Sequence, residues 1–192
     1  MKLLLSLVLI LTFSTPVLSY ADTATTDITV GKKVILQSKI LNEDRPIRIF
    51  IPDNVKDDQP LYVIYLLDGV EHFHTASGVI KSLVDYEQIP NAMLVAIDTT
   101  NRVRDYLPKV QGEPKTEFQT FVKNKWPDAG QTDNFLKFVS DELMPYINSN
   151  YPTNGYNTLI GHSNAGTLAL YTLVNQPALF NNYIAISPNS WW

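Results

Sequence analysis

The stretch Asn157-Thr158-Leu159-Ile160-Gly161-His162-Ser163-Asn164-Ala165-Gly166 sets the architecture of this chain. It reads as a strand, a tight turn around Ser163, and the start of a helix that runs through Leu168, Leu170, Tyr171, Leu173 and Val174 to Gln176-Pro177. A serine forced into such a turn needs little bulk beside it, so that strand and helix can approach closely. Gly161, Ala165 and Gly166 meet that need, although Ala165 stands where the G-x-S-x-G pattern has its second glycine. On this reading Ser163 Oγ is lifted clear of the sheet, and the backbone N–H of Asn164 faces a developing oxyanion. The plainer reading is a strand-to-helix loop capped by a serine. The flanking pattern favours the first.

On the N-terminal side, Leu61-Tyr62-Val63-Ile64-Tyr65-Leu66-Leu67 and Ala92-Met93-Leu94-Val95-Ala96-Ile97 are nearly continuous apolar runs, the mark of strands covered on both faces. The first stops at Asp68-Gly69 and the second at Asp98-Thr99-Thr100-Asn101. Helical periodicity occupies His74 to Tyr86 and Asn134 to Asn148, and Tyr183 to Ser187 is the last strand. Two extended runs near the start, Lys32 to Ile40 and Arg45 to Pro52, are joined by the turn Asn42-Glu43-Asp44 and predict an antiparallel hairpin. The fold class is therefore α/β, with a mostly parallel sheet behind an N-terminal antiparallel hairpin. Chemistry in such sheets gathers at the carboxyl ends of the strands. Three of those ends carry marked sequences, at Asp68-Gly69-Val70, at Asp98 to Asn101 and at Gly161-His162-Ser163.

Composition narrows the class further. Met1-Lys2, the apolar run Leu3 to Leu11, the helix-breaking Pro16 and the small residues Ser19 and Ala21 predict a secretory signal peptide over 1–21. The mature domain would begin at residue 22, be periplasmic or secreted, and carry no membrane segment after cleavage. The absence of cysteine removes disulfides, thiolate chemistry and a lipid-attachment cysteine. A core must hold the domain together, and 45% apolar residues suffice for one. The net charge of -4, with lysine and arginine scattered, argues against a nucleic-acid partner. No cofactor is implied. A three-histidine metal site is disfavoured, because His72 and His74 are two apart and His162 lies on another element.

Four segments together resemble the esterase D-like, enterochelin-esterase-like branch of the α/β-hydrolases. They are Tyr65-Leu66-Leu67-Asp68-Gly69, Asn101 to Pro108 with its Arg102-Val103-Arg104-Asp105 core, Gly161 to Gly166, and Ile186 to Trp192. The resemblance implies an α/β-hydrolase fold and cleavage of carboxylic esters, on a small-molecule or sugar ester. It implies Ser163 as nucleophile and the N–H groups of Val70 and Asn164 as the oxyanion hole. It sets Arg102 and Arg104 on a loop held near the pocket. His72 and His74, which follow the oxyanion loop, and the two arginines are the candidate substrate-binding residues.

A serine hydrolase also needs a base and an acid that orients it, in this fold placed after the nucleophile. No histidine, aspartate or glutamate follows Ser163. His162 should leave the turn in another direction and pack beside it. The expectation is that residues 22–192 are the N-terminal portion of a longer hydrolase domain, with the C-terminal strands, the histidine and the acid beyond Trp192. The last strand would then be an unpaired edge through which the chain could self-associate. A catalytically inert fragment or a non-enzymatic binding module of the same fold is the alternative. Residues 102–131 form a long connection in which Phe118, Phe121 and Trp126 suit a lid, core packing or a carbohydrate contact.

Overall fold

The computed structural model describes residues 24–55, 59–110 and 112–189; the segment read as a signal peptide and Trp191-Trp192 lie outside them. Among the described residues, no helix is long and apolar enough to cross a membrane. Six strands form one sheet in the order β1-β2-β4-β3-β5-β6. The hairpin β1 (Lys32–Ser38) and β2 (Glu43–Phe50) pairs antiparallel, and β2 continues antiparallel onto β4 (Ala92–Ile97). From there β4, β3 (Leu61–Leu67), β5 (Thr153–His162) and β6 (Asn182–Ile186) run parallel. The predicted α/β class and N-terminal hairpin are both present.

Alternation along the central strands explains how both faces are covered. Leu61, Val63, Tyr65 and Leu67 of β3 join Met93, Val95 and Ile97 of β4 against Phe135, Phe138, Leu143, Ile147 and Leu168. Leu66, Leu94 and Ala96 point the other way, onto Phe73, Ile80 and Val84 of helix α1 (Gly69–Asp85). Each large apolar side chain among these contributes roughly 1.5–3 kcal/mol by leaving water. The predicted fully buried strand 92–97 is buried at every residue.

Several elements depart from their predicted bounds for local reasons. Helix α1 begins at Gly69 rather than near His74, because Asp68 adopts a left-handed conformation and its carbonyl accepts the N–H groups of Glu71 and His72. The long connection contains helix α2 (Arg102–Tyr106), capped by Asn101, and helix α3 (Glu117–Lys125), capped by Thr116. The predicted helix 134–148 is a composite of α4 (Thr132–Phe138), a widened π turn at Val139–Leu143, and α5 (Met144–Asn150). Pro145 accounts for the widening: it has no N–H to give to the preceding turn, and its ring would clash with a regular helical carbonyl. Glu142, within that turn, accepts hydrogen bonds from Ser38 Oγ and from the N–H groups of Lys39 and Ile40, which pins the hairpin to this helix. Helix α6 (Asn164–Asn175) follows β5 directly and packs on β5 and β6.

Candidate active site

Parallel neighbours β4, β3 and β5 bring Ile97, Leu67 and His162 to one edge of the sheet, so the three marked strand ends do converge. At that edge Ser163 has φ 59° and ψ -120°, a region that non-glycine residues seldom enter. Holding it there costs about 1–3 kcal/mol. The surrounding backbone supplies the restraint. Ser163 N–H donates to the Ile186 carbonyl at 3.0 Å, and the Ser163 carbonyl accepts from the N–H groups of Thr167 (3.0 Å) and Asn189 (3.3 Å).

Small residues are needed where strand and helix touch, at the first glycine of the G-x-S-x-G pattern and at the residue after its second. A Cβ on Gly161 would lie 2.2 Å from the Ala165 carbonyl oxygen and 2.4 Å from its carbon. A Cβ on Gly166 would lie 3.0 Å from the Ile186 oxygen and 3.1 Å from Pro188 Cα. Ala165 is fully buried, so its methyl has a place. The close approach is thus made by Gly161 and Gly166, and the substitution at 165 leaves the turn intact.

Val70 lies in the first turn of α1 and Asn164 opens α6, positions whose N–H groups have no acceptor within their own helix. Neither amide meets another backbone acceptor among the described residues. Asn164 Oδ1 takes a hydrogen bond from Asn189 Nδ2 at 3.0 Å, and Thr167 Oγ1 donates to the Asn189 carbonyl at 2.9 Å. These bonds fasten the segment after β6 across the elbow.

Arg102 spans the gap between the ends of β3 and β5. Its Nε and Nη2 donate to the two carboxylate oxygens of Asp68, both at 2.8 Å, and Nη2 also reaches the His162 carbonyl at 3.3 Å. The hydrogen bond to Asp68 raises the guanidinium pKa; burial opposes this and the Asp68 charge adds to it. Arg104 is drawn elsewhere. It donates to Glu43 through Nη1 and Nη2 and to Asp105 through Nε at 2.7 Å, so it faces the hairpin and not the elbow. The histidines divide in the same way. His72 stacks edge-on against His162, with ring centroids 6.1 Å apart, whereas His74 is exposed and packs on Phe73. His162 is not tucked beside the turn as the sequence suggests: it is exposed and faces His72. Both rings border an apolar groove of about 900 Å³ between α1 and the β5–β6 face, lined by Ile64, Leu66, Ile160, Ile184 and Ile186.

The structure therefore brings Ser163, Asn164, Val70, His72 and Arg102 to one edge and sets His74 and Arg104 aside. Phe121 and Trp126 pack edge-to-face with each other under Lys125, away from the groove. Among the described residues no group of three or more His, Asp or Glu could hold a metal.

A buried polar network behind the site is one that sequence reasoning does not reach. Arg45 is fully buried and donates to the Asp98 carbonyl (3.1 Å), to Asp105 (2.9 Å) and to Glu43, with its guanidinium against the rings of Phe135 and Phe138. The signal for it is the alternation Arg45, Ile47, Ile49, which puts the arginine on the core face. Tyr106, also fully buried, accepts the Asp68 N–H on its hydroxyl at 3.2 Å.

Sheet order, hairpin and strained serine turn define an α/β-hydrolase-type fold. A solved structure agrees: an IroE-like serine hydrolase from Shewanella oneidensis superposes with a TM-score of 0.73 at 31% identity, over 84% of this chain and 51% of that one. Residues 38–192 match the family described as "Putative esterase", and the chain belongs to that family. The ferri-bacillibactin esterase BesA of Bacillus subtilis is 28% identical over 165 residues, covering 79% of this chain and 56% of that protein. A siderophore triacetylfusarinine C esterase of Aspergillus fumigatus is 29% identical over 145 residues, covering 69% and 46%. The chain spans about half the length of the curated relatives it matches.

Proposed function

We propose that this chain carries the nucleophile half of an exported serine hydrolase that cleaves carboxylic esters, and that its substrates are siderophore esters. The observation that carries the reading is the backbone of Ser163, at φ 59° and ψ -120° between the two close-contact glycines. Strain of that kind is maintained only where the surroundings over-determine it, and it clusters at reactive residues. The substrate class rests on the relatives, two of which are a ferri-bacillibactin esterase and a triacetylfusarinine C esterase.

In this mechanism Ser163 Oγ attacks the ester carbonyl carbon and gives up its proton to a base. The carbonyl oxygen becomes an oxyanion that accepts hydrogen bonds from the Val70 and Asn164 N–H groups. Each donor lowers the barrier by about 3–4 kcal/mol. Collapse expels the alcohol and leaves an acyl group on Ser163, which water releases as the acid. Because the chain spans about half the length of the curated relatives it matches, the test uses the full gene product. Incubated with a siderophore whose units are ester-linked, it should release the acid and alcohol fragments, and Ser163→Ala should abolish this. Fragment release at wild-type rate by Ser163→Ala would overturn the reading. Absence of hydrolysis with any siderophore ester or p-nitrophenyl ester would favour the inert binding module.

A further inference from the structure

We infer that Arg102 is a positioning residue, a strut that fixes the oxyanion loop against the nucleophile turn rather than a contact for substrate. This role rests on the proposed serine-hydrolase reading and deepens it. One planar guanidinium touches both walls of the site. Toward β3 it holds Asp68 by two parallel bonds of 2.8 Å, and toward β5 it reaches the carbonyl of His162, the residue before the nucleophile, at 3.3 Å. A fork of this kind restricts orientation as well as distance, which a lysine ammonium does not.

Asp68 is the residue through which such a strut would act. Its carboxylate is buried and its backbone is left-handed, at φ 57° and ψ 52°. Its carbonyl receives the Glu71 and His72 N–H groups, so its backbone starts α1 and thereby orients the Val70 amide two residues on. Its N–H is held in turn by the Tyr106 hydroxyl at 3.2 Å, from the same short helix that bears Arg102. That helix is anchored through Asp105, buried between Arg45 and Arg104, and through the Asn101 side chain that accepts the Arg104 N–H. The guanidinium is thus braced from behind. Gly69 leaves no slack on the other side, since a Cβ there would lie 2.6 Å from Asp98 Oδ1. Release of the Asp68 carboxylate would let the first turn of α1 shift relative to the elbow. A displacement of about 1 Å at a reacting centre costs about 100-fold in rate.

The test is steady-state hydrolysis of a soluble p-nitrophenyl ester by the full gene product. Arg102→Lys keeps the charge but loses the fork, and it is chosen because Arg102→Ala would leave the buried Asp68 unpaired. We expect kcat to fall about 10-fold for Arg102→Lys and about 100-fold for Arg102→Ala, with KM within about twofold for both. Asp68→Asn should lower kcat by a similar factor. The pair Arg102→Lys with Asp68→Asn should be no slower than the worse single variant, because both remove one link. A rise in KM with kcat unchanged, or losses that multiply in the double variant, would overturn the strut and make Arg102 a substrate contact. If Arg102→Ala does not fold, the Lys and Asn variants carry the same decision alone. Activity retained by Ser163→Ala would instead sink the underlying reading, so the two failures are told apart.

Discussion

Replacing Gly161 by alanine probes the close contact on which the serine turn depends. The new Cβ would stand 2.2 Å from the Ala165 oxygen, 2.4 Å from its carbonyl carbon and 2.9 Å from the Gly166 nitrogen. Carbon contacts settle at roughly 3.5–4.0 Å, so the first turn of α6 would have to withdraw by about 1 Å. All three obstacles are backbone, and no side-chain rotation relieves them. The same turn closes its first hydrogen bond on the Ser163 carbonyl, so a shift propagates into the elbow. Overpacking of this kind costs about 1–3 kcal/mol, and rigid obstacles put Gly161→Ala at the upper end, near ~3 kcal/mol. Urea unfolding should show the midpoint falling with an unchanged slope. Fluorophosphonate labelling of Ser163 should slow by about 100-fold through the same displacement. Ala165→Gly is the comparison: it loses a buried methyl and some helix propensity, about 1–2 kcal/mol, but keeps the turn and its labelling rate. A Gly161→Ala protein that unfolds within about 0.5 kcal/mol of wild type and labels as fast would show that the contact does not hold the turn.

Other consequences are open to direct measurement. Asp105→Ala strips one partner from the fully buried Arg45 and another from Arg104, and should cost about 3–5 kcal/mol in denaturant titration. Gly78, inside α1, has open space where a Cβ would stand, with no atom within 4 Å, so Gly78→Ala should raise stability by about 0.5–1 kcal/mol in the same assay. Glu43 has its carboxyl held below the ordinary value of 4.5: burial pushes it up, but hydrogen bonds from Arg104 and Thr100 and the charges of Arg45 and Arg104 outweigh that. The unfolded chain takes up this proton first as the solution is acidified. The carboxylate therefore adds stability above pH 4.5 and loses it as pH falls through the lower folded value. Glu43→Gln should flatten that part of the acid limb in pH-dependent thermal melts; an unaltered limb would show that Glu43 makes no such contribution.

The scaffold is most legible in the sequence where burial is two-sided. The apolar runs 61–67 and 92–97 match β3 and β4 to the residue, since a strand covered on both faces has no polar positions to blur its ends. The turn at Ser163 is legible as well, because a strand and a helix that meet with small flanking residues have few alternative geometries, whereas Val70 is singled out by the family resemblance alone. Less can be read where side chains reach across the fold. The sequence points to Arg102 as a substrate contact, but its acceptor Asp68 is a strand-end residue 34 positions away, and nothing local pairs the two. His74 stands out beside His72, yet a two-residue step on a helix turns a side chain by about 200° and parts them. The onset of α1 at Gly69 has no side-chain cap to announce it, because its start signal is the backbone conformation of Asp68. The π turn is announced only by Pro145, a residue that breaks the helical period without saying how the chain will accommodate it.

Whether the Ser163 oxygen is presented and reactive can be asked without knowing the substrate, by intact-mass analysis of the full gene product after exposure to a fluorophosphonate. One adduct per chain, mapped to Ser163 and absent from Ser163→Ala, is the expected result. A protein that stays unmodified while folded, or that is modified equally well in Ser163→Ala, would contradict it.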